Sequence, residues 1–312
     1  MFPARCNLAA SRPTTIMVPL VVTIICIIYM ICKEWNKLKF GMDEMKRLSD
    51  LPNKTHLLST NSNPAHSHLP LQGTPHNDAP QLVNILLLSS VGRSGSSFLA
   101  ELLFQQPSTI YFFEPELYFN FKTYKGVTSN ASRILLDQLY QCKLDKDWVE
   151  WARTRNNVFR EYDINEDCQN KDTTIFKQCI EDKCSRKYRK LIKVIKIRLS
   201  WVAEMLVNPE NPLKVIYLVR DPRGSFTSLR KANMLQKDFK IWCPRILEDL
   251  ELVNTFKALF PRDFFFVRYE DLCFDPWGTA TKLWQFVSDS KLLPESWSTY
   301  LHKHTNSEQY KE

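Results

Sequence analysis

Beyond residue 81 the chain alternates between two kinds of apolar segment. Runs rich in Val, Ile and Phe recur at LVNILLLSS (82–90), TIYFF (109–113), LIKVIKIRL (191–199), LKVIYLV (213–219) and DFFFVRY (263–269). Short, nearly continuous apolar runs are what strands buried on both faces require. Between them SSFLAELLFQQ (96–106), SWVAEMLV (200–207), ILEDLELVNTFKALF (246–260) and TATKLWQFVSD (279–289) look helical. This alternation predicts an α/β fold with a largely parallel central sheet. The stretch from about 142 to 190 is polar, charged and cysteine-bearing, and reads as an insertion over the sheet.

The pattern differs before residue 81. Ile16–Cys32 is seventeen residues without a charge, just long enough to span a thin bilayer as a helix. MICKEW offers no small-x-small cleavage site, which favours an uncleaved signal-anchor over a cleaved signal peptide. Arg5 and Arg12 precede the span while Lys33, Lys37 and Lys39 follow it, so flanking charge does not set the topology. Two sequons, Asn53-Lys54-Thr55 and Asn130-Ala131-Ser132, favour a lumenal C-terminal part. From residue 33 to about 80 the chain is rich in Pro, Ser, Asn and His and cannot offset the cost of ordering, which makes it a stem. The expected division is a cytoplasmic tail 1–15, a signal-anchor transmembrane helix 16–32, a lumenal stem 33–80 and a domain 81–312.

Composition narrows the class. Of 312 residues, 44% are hydrophobic and 24% charged, which excludes wholesale disorder, a collagen-like fibre and a multi-span membrane protein. The net charge of +8 fits either a solvated basic face or an anionic ligand. Six cysteines lie beyond the span: Cys142, Cys168, Cys179, Cys184, Cys243 and Cys273. An even number suits disulfides in an oxidising lumen, with the pairing left open. No C-x-x-C pair supports zinc, and irregular spacing makes His56, His66, His68 and His76 polar filler of the stem, so no metal is expected.

Two motifs carry the chemistry. The first is the run 82–90, then VGRSGSSF (91–98), then a helix. A glycine-bearing turn between strand and helix lets backbone N–H groups surround an anion, and the helix N-terminus adds partial positive charge. Gly92 and Gly95 allow close approach, Ser94, Ser96 and Ser97 supply hydroxyls, and Arg93 is a permanent cation. The Walker A lysine is missing, which weighs against a P-loop kinase or NTPase. The second motif is LKVIYLVRDPRGSFTSLR (213–230). Arg220 stands at a strand's carboxyl end, where open α/β sheets bind ligands. Asp221 suits a helix cap with Pro222 in the first turn, Ser228 lies two turns on, and Arg223 and Arg230 add charge. Two anion sites on one edge suit a nucleotide with two separated phosphates.

Together LLLSSVGRSGSSFLAELLFQQ, IYFFEPE, VIYLVRDPRGSFTS and FFFVRYEDL resemble the Golgi carbohydrate sulfotransferases. The nearest group sulfates the 6-hydroxyl of N-acetylglucosamine, galactose or N-acetylgalactosamine. The resemblance runs from about Leu82 to Trp284 and is thin between 125 and 190. It implies a P-loop-like sandwich, the donor 3′-phosphoadenylyl sulfate (PAPS), a glycan or glycosaminoglycan acceptor, no metal and no nucleic acid, and it leaves a homodimer open. It implies a single-pass type II protein of the Golgi membrane. By the same resemblance Arg93, Ser94, Gly95, Ser96, Ser97 and Phe98 hold the 5′-phosphosulfate, and Arg220 and Ser228 hold the 3′-phosphate. Arg93 would stabilise charge on the leaving phosphate. No histidine lies between His76 and His302, so the base is expected to be a carboxylate. Glu114 matches the family's Glu-Pro, with Glu116 as the local competitor. Arg268, Glu270 and Asp271 of RYEDL read as structural. After YLHKHTNSEQYKE nothing matches the basic, helical stretch with which family members close over the nucleotide. A shortened chain that binds nucleotide or glycan without turnover is therefore the alternative expectation.

Overall fold

The computed structural model describes residues 82–305 except 123–126, 156–157, 161–166, 169–171, 209–211 and 233–238. The expected tail, membrane helix, stem and the sequon at Asn53 lie outside the described residues. Five strands form one sheet: β1 Val83–Leu88, β2 Thr109–Phe113, β3 Arg189–Val194, β4 Leu213–Val219 and β5 Phe264–Arg268. Their order is β2-β3-β1-β4-β5 and every pairing is parallel, as the strand–helix alternation predicts. Parallel neighbours need crossovers, and the helices supply them. These are α1 Ser96–Phe104, α2 Tyr118–Lys122, α3 Ser129–Tyr140, α4 Lys146–Arg153, α5 Thr173–Ser185, α6 Ala203–Leu206, α7 Pro222–Lys231, α8 Phe239–Leu259, α9 Tyr269–Phe274, α10 Pro276–Ser288 and α11 Glu295–Thr305.

The two-residue period of a strand sorts β1 between two cores. Ile85 and Leu87 join Leu99 and Leu102 of α1 and Leu283, Trp297 and Leu301 of α10 and α11. Leu86 and Leu88 join Leu135, Leu139, Trp148, Ile180 and Phe256 of α3, α4, α5 and α8. The sheet is thus covered on both faces, and the alternation read as α/β is a three-layer arrangement.

Two sequence expectations change. The stretch 142–190 is an integral layer rather than an addition. Its Trp148 packs edge-on against Phe112 of β2 at 6.3 Å, and Trp151, Phe176 and Ile180 are buried in the same core. Short amphipathic helices spend half their residues on solvent, so their charged faces hid a core-forming stripe. The segment 200–207 begins as a 3₁₀ turn, Leu199–Val202, before α6.

Two disulfides brace this layer: Cys142–Cys184, across 42 residues, and Cys168–Cys179, across 11. Closing the longer loop removes more entropy from the unfolded chain, about 4 kcal/mol against about 3 kcal/mol in the chain-entropy picture. Replacing Cys142 and Cys184 by Ser should therefore lower the melting temperature more than replacing Cys168 and Cys179. Calorimetric scans of the two double variants check this, and the reverse order would contradict it.

Candidate active site

All five strands point their carboxyl ends at one edge, and the predicted residues gather there. After β1 the chain turns through Ser89–Gly95 into α1. Arg93 adopts φ 62° and Gly95, the N-cap of α1, adopts φ 90°. Both angles are left-handed, which a non-glycine residue adopts at a cost. A Cβ on Gly95 would also lie 2.2 Å from the Tyr269 ring, so that tyrosine fixes the loop from β5's side. The Ser94 hydroxyl is buried and has no hydrogen-bond partner among the described residues. Ser96 is buried at the helix start and Ser97 is exposed.

The second loop docks on the first. Arg220 follows β4 and donates from Nη1 to the Arg93 carbonyl at 3.0 Å. Its guanidinium lies 4.3 Å from the centroid of Tyr269. In return Arg93 Nε donates to Ser228 Oγ at 3.1 Å. Asp221 caps α7 with Pro222 in its first turn, as read from sequence, and accepts from the Arg223 N–H at 2.8 Å. Hydrogen bonds from Arg223 are the main cause that holds the Asp221 carboxyl below its usual range. Arg223 is thereby occupied with Asp221, whereas neither Arg93 nor Arg220 is ion-paired with a carboxylate among the described residues.

Phe98, the third residue of α1, packs its ring against Tyr300 and His304 of α11, with centroids at 5.5 and 6.4 Å. In RYEDL, Arg268 pairs with Asp271 at 3.8 Å, the structural role expected of this segment, and Glu270 accepts from the Asp221 N–H at 2.9 Å. Glu270 thus ties α9 to the Arg220 turn.

On the other side of β1, β2 ends at the Glu-Pro-Glu turn. Glu114 is the N-cap residue of the 3₁₀ turn Pro115–Leu117, with φ 50° and no side-chain cap hydrogen bond. Its N–H donates to the Lys193 carbonyl at 2.8 Å, and its carboxylate is ion-paired with the buried Lys193 ammonium. Glu116 is fully buried. One of its oxygens accepts from the Ile195 N–H at 2.7 Å and the other has no side-chain hydrogen-bond partner among the described residues. Burial, and next the charge of Glu114, push its carboxyl up to about 7. Lys196 follows β3, which lies between β2 and β1; burial draws its ammonium down, and Glu116 and Glu114 oppose that. With strands about 4.8 Å apart, Glu114 and the Gly-rich loop are separated by about 10 Å of sheet edge.

Lys193, Lys196, Tyr269 and Glu270 were missed as site residues from sequence. The legible signal was lysine inside the otherwise apolar run LIKVIKI, where a buried cation requires a partner.

A parallel sheet of this kind, with two interlocked arginine-bearing turns at its carboxyl edge, defines an α/β protein with a basic site at that edge. The model of the Sulfotransferase family matches residues 86–288, and the chain belongs to that family. Carbohydrate sulfotransferase 4 of Mus musculus is 24% identical over 271 residues, covering 71% of this chain and 68% of that protein. Carbohydrate sulfotransferase 1 of Danio rerio is 23% identical over 280 residues, covering 71% of this chain and 66% of that protein. Carbohydrate sulfotransferase 2 of Mus musculus is 31% identical over 183 residues, covering 48% of this chain and 34% of that protein. The chain therefore spans about two thirds of the length of the first two relatives and about one third of the last.

Glu116 makes stability depend on pH. Its folded-state carboxyl sits above the unfolded value of 4.5, so the native state binds the extra proton. The contribution is fully present below pH 4.5 and is lost as pH rises through about 7, about 3 kcal/mol in all. Glu116→Gln keeps the acceptor for Ile195 without the charge. Its melting temperature should fall less than the wild type's between pH 5 and pH 8. Parallel pH profiles for the two proteins would remove this assignment.

Proposed function

We propose that the chain transfers a sulfuryl group from PAPS to a sugar hydroxyl, the 6-hydroxyl, of a glycan or glycosaminoglycan. It does so in the Golgi lumen, held by the N-terminal span as a type II membrane protein. One observation carries this reading: two guanidinium groups without a carboxylate ion pair among the described residues come from two interlocked loops, Arg220 donating to the Arg93 carbonyl and Arg93 to Ser228. Such a pair favours an anion with two charged ends. The unpartnered buried hydroxyl of Ser94 and the α1 N-terminus fit the same ligand. The donor supplies an activated sulfur whose bond to a phosphate oxygen breaks as the bond to the sugar oxygen forms.

The residues divide that work. Arg220 and Ser228 hold the 3′-phosphate, and the loop Arg93–Ser97 holds the 5′-phosphosulfate. Arg93 and the loop amides offset charge gathering on the bridging oxygen. Glu114 takes the proton of the attacking hydroxyl. The Lys193 ammonium and the backbone bond to Lys193 hold that carboxylate in place. Glu116, largely neutral below about pH 7, there spares Glu114 a second adjacent negative charge.

Incubating the detergent-solubilised full chain with labelled PAPS and a panel of glycans should label at least one glycan. A folded chain that labels none would sink the activity. Arg220→Ala should raise KM for PAPS by about 10–100-fold, the range of a lost charge-assisted contact. Glu114→Gln should instead lower kcat by about 100-fold or more while leaving donor binding nearly intact. Equal weakening of donor binding by both changes would contradict the division.

A further inference from the structure

We infer that Asp249 is a positioning residue for the donor loop, acting through the hydroxyl of Ser90. The inference rests on the donor reading above and extends it to a buried network that touches neither loop's ligand face. Asp249 stands on α8 and is 1% exposed. Its Oδ2 accepts from Ser90 Oγ at 2.7 Å. Its Oδ1 accepts from the Leu199 N–H and from Arg198 Nη2, both at 3.0 Å, and Arg198 Nε lies 3.2 Å from each oxygen. Arg198 also donates to the Arg245 carbonyl at 2.6 Å and pairs with Glu248 at 3.0 Å, so its guanidinium is committed to α8.

Ser90 is the hinge of the network. It lies two residues past β1 and three before Arg93. Its single proton goes to Asp249, which leaves its oxygen to accept from the Tyr217 hydroxyl, 2.7 Å away on β4. Burial, then the Asp249 charge, push the Tyr217 phenol up, which keeps that proton in place. The start of the loop is therefore gripped between α8, the end of β3 and the middle of β4.

A buried ion pair is a poor way to add stability, because desolvation offsets most of its attraction. Apolar packing would fasten α8 to the sheet as well. What a carboxylate adds is direction: it accepts only from donors placed around it. Here the donors are Ser90, just past β1, and Arg198 and Leu199, in the segment that follows β3. This geometry fixes where the amides of Val91–Gly95 point, which is the property an anion loop needs before its ligand arrives.

The test is a mutant cycle on the detergent-solubilised full chain. Affinity for 3′,5′-phosphoadenosine is measured by calorimetry for wild type, Ser90→Ala, Asp249→Asn and the double variant, with melting temperatures alongside. Each single change should weaken binding by about tenfold, in the range of one hydrogen bond to a charged group. The double variant should bind no more weakly than the weaker single. A folded Asp249→Asn with wild-type affinity, or two effects that simply multiply, would overturn the inference. A merely structural residue would lower the melting temperature without changing affinity. Should Asp249→Asn not fold, Ser90→Ala and Tyr217→Phe decide: both should weaken binding, and unchanged affinity in both overturns it. A wild type that does not bind the probe ends the donor reading instead. Amide exchange then reads the loop directly: faster exchange over Val91–Gly95 in Ser90→Ala supports the positioning role, and unchanged exchange overturns it.

Discussion

Two like charges cannot be brought to one sheet edge without something to hold them there. Arg93 and Arg220 repel, and each would be better solvated apart. The structure holds them by a bond that involves only one guanidinium at a time. Arg220 donates to the backbone carbonyl of Arg93, while the Arg93 side chain turns to Ser228. That exchange needs the left-handed turn at Arg93, and the turn needs Gly95 behind it. Tyr269 closes over both, with its ring against the Gly95 position and under the Arg220 guanidinium. Glu270 fixes the Arg220 turn through the Asp221 amide. Much of the edge can be read as support for this pair of arginines.

The sheet order keeps the opposite chemistry at a distance. β3 separates β2, with its two carboxylates, from β1, with its anion loop. Glu114 and Glu116 are two residues apart and share the influence of Lys193, so they do not both ionise easily. The ion pair goes to Glu114, and burial takes the charge from Glu116. The Lys193-paired carboxylate of Glu114 and the two arginines thus stand at the same edge with one strand between them. Lys196 follows that strand.

How much of this was legible in the sequence follows from what kind of signal each part leaves. The parallel sheet was legible because strands buried on both faces have to be apolar throughout. TIYFF and LKVIYLV match β2 and β4 residue for residue. That Arg93, Arg220 and Ser228 meet at one edge was legible because both turns follow strands of one parallel sheet, whose carboxyl ends share that edge. The layer 142–190 was not, since a helix that is half solvated looks like a solvated segment when tertiary contacts are unknown. Nor were Tyr269 and Glu270, whose roles come from β5 lying beside β4, a fact of topology. The contact of the Phe98 ring with α11 was not legible either, since one residue of helix is a rotation of about 100 degrees and the sequence does not show which neighbour that turn faces.

Buried charge, rather than total charge, marks the working edge. The net +8 of the chain says little, because most of its charged side chains are solvated. Lys193, Glu116 and Asp249 are each at most 2% exposed, and all three lie at or near the carboxyl ends of the sheet. Each is costly to bury and each is met by a specific partner: Glu114, the Ile195 amide, and Arg198 with Ser90. Away from that edge the strands bury chiefly Leu, Ile, Val and aromatic side chains, which pack at no such cost. A fold that needed only stability would have no reason to gather these exceptions behind two loops. Their common placement is what a site must have if its surface charges are to stay pointed at a ligand.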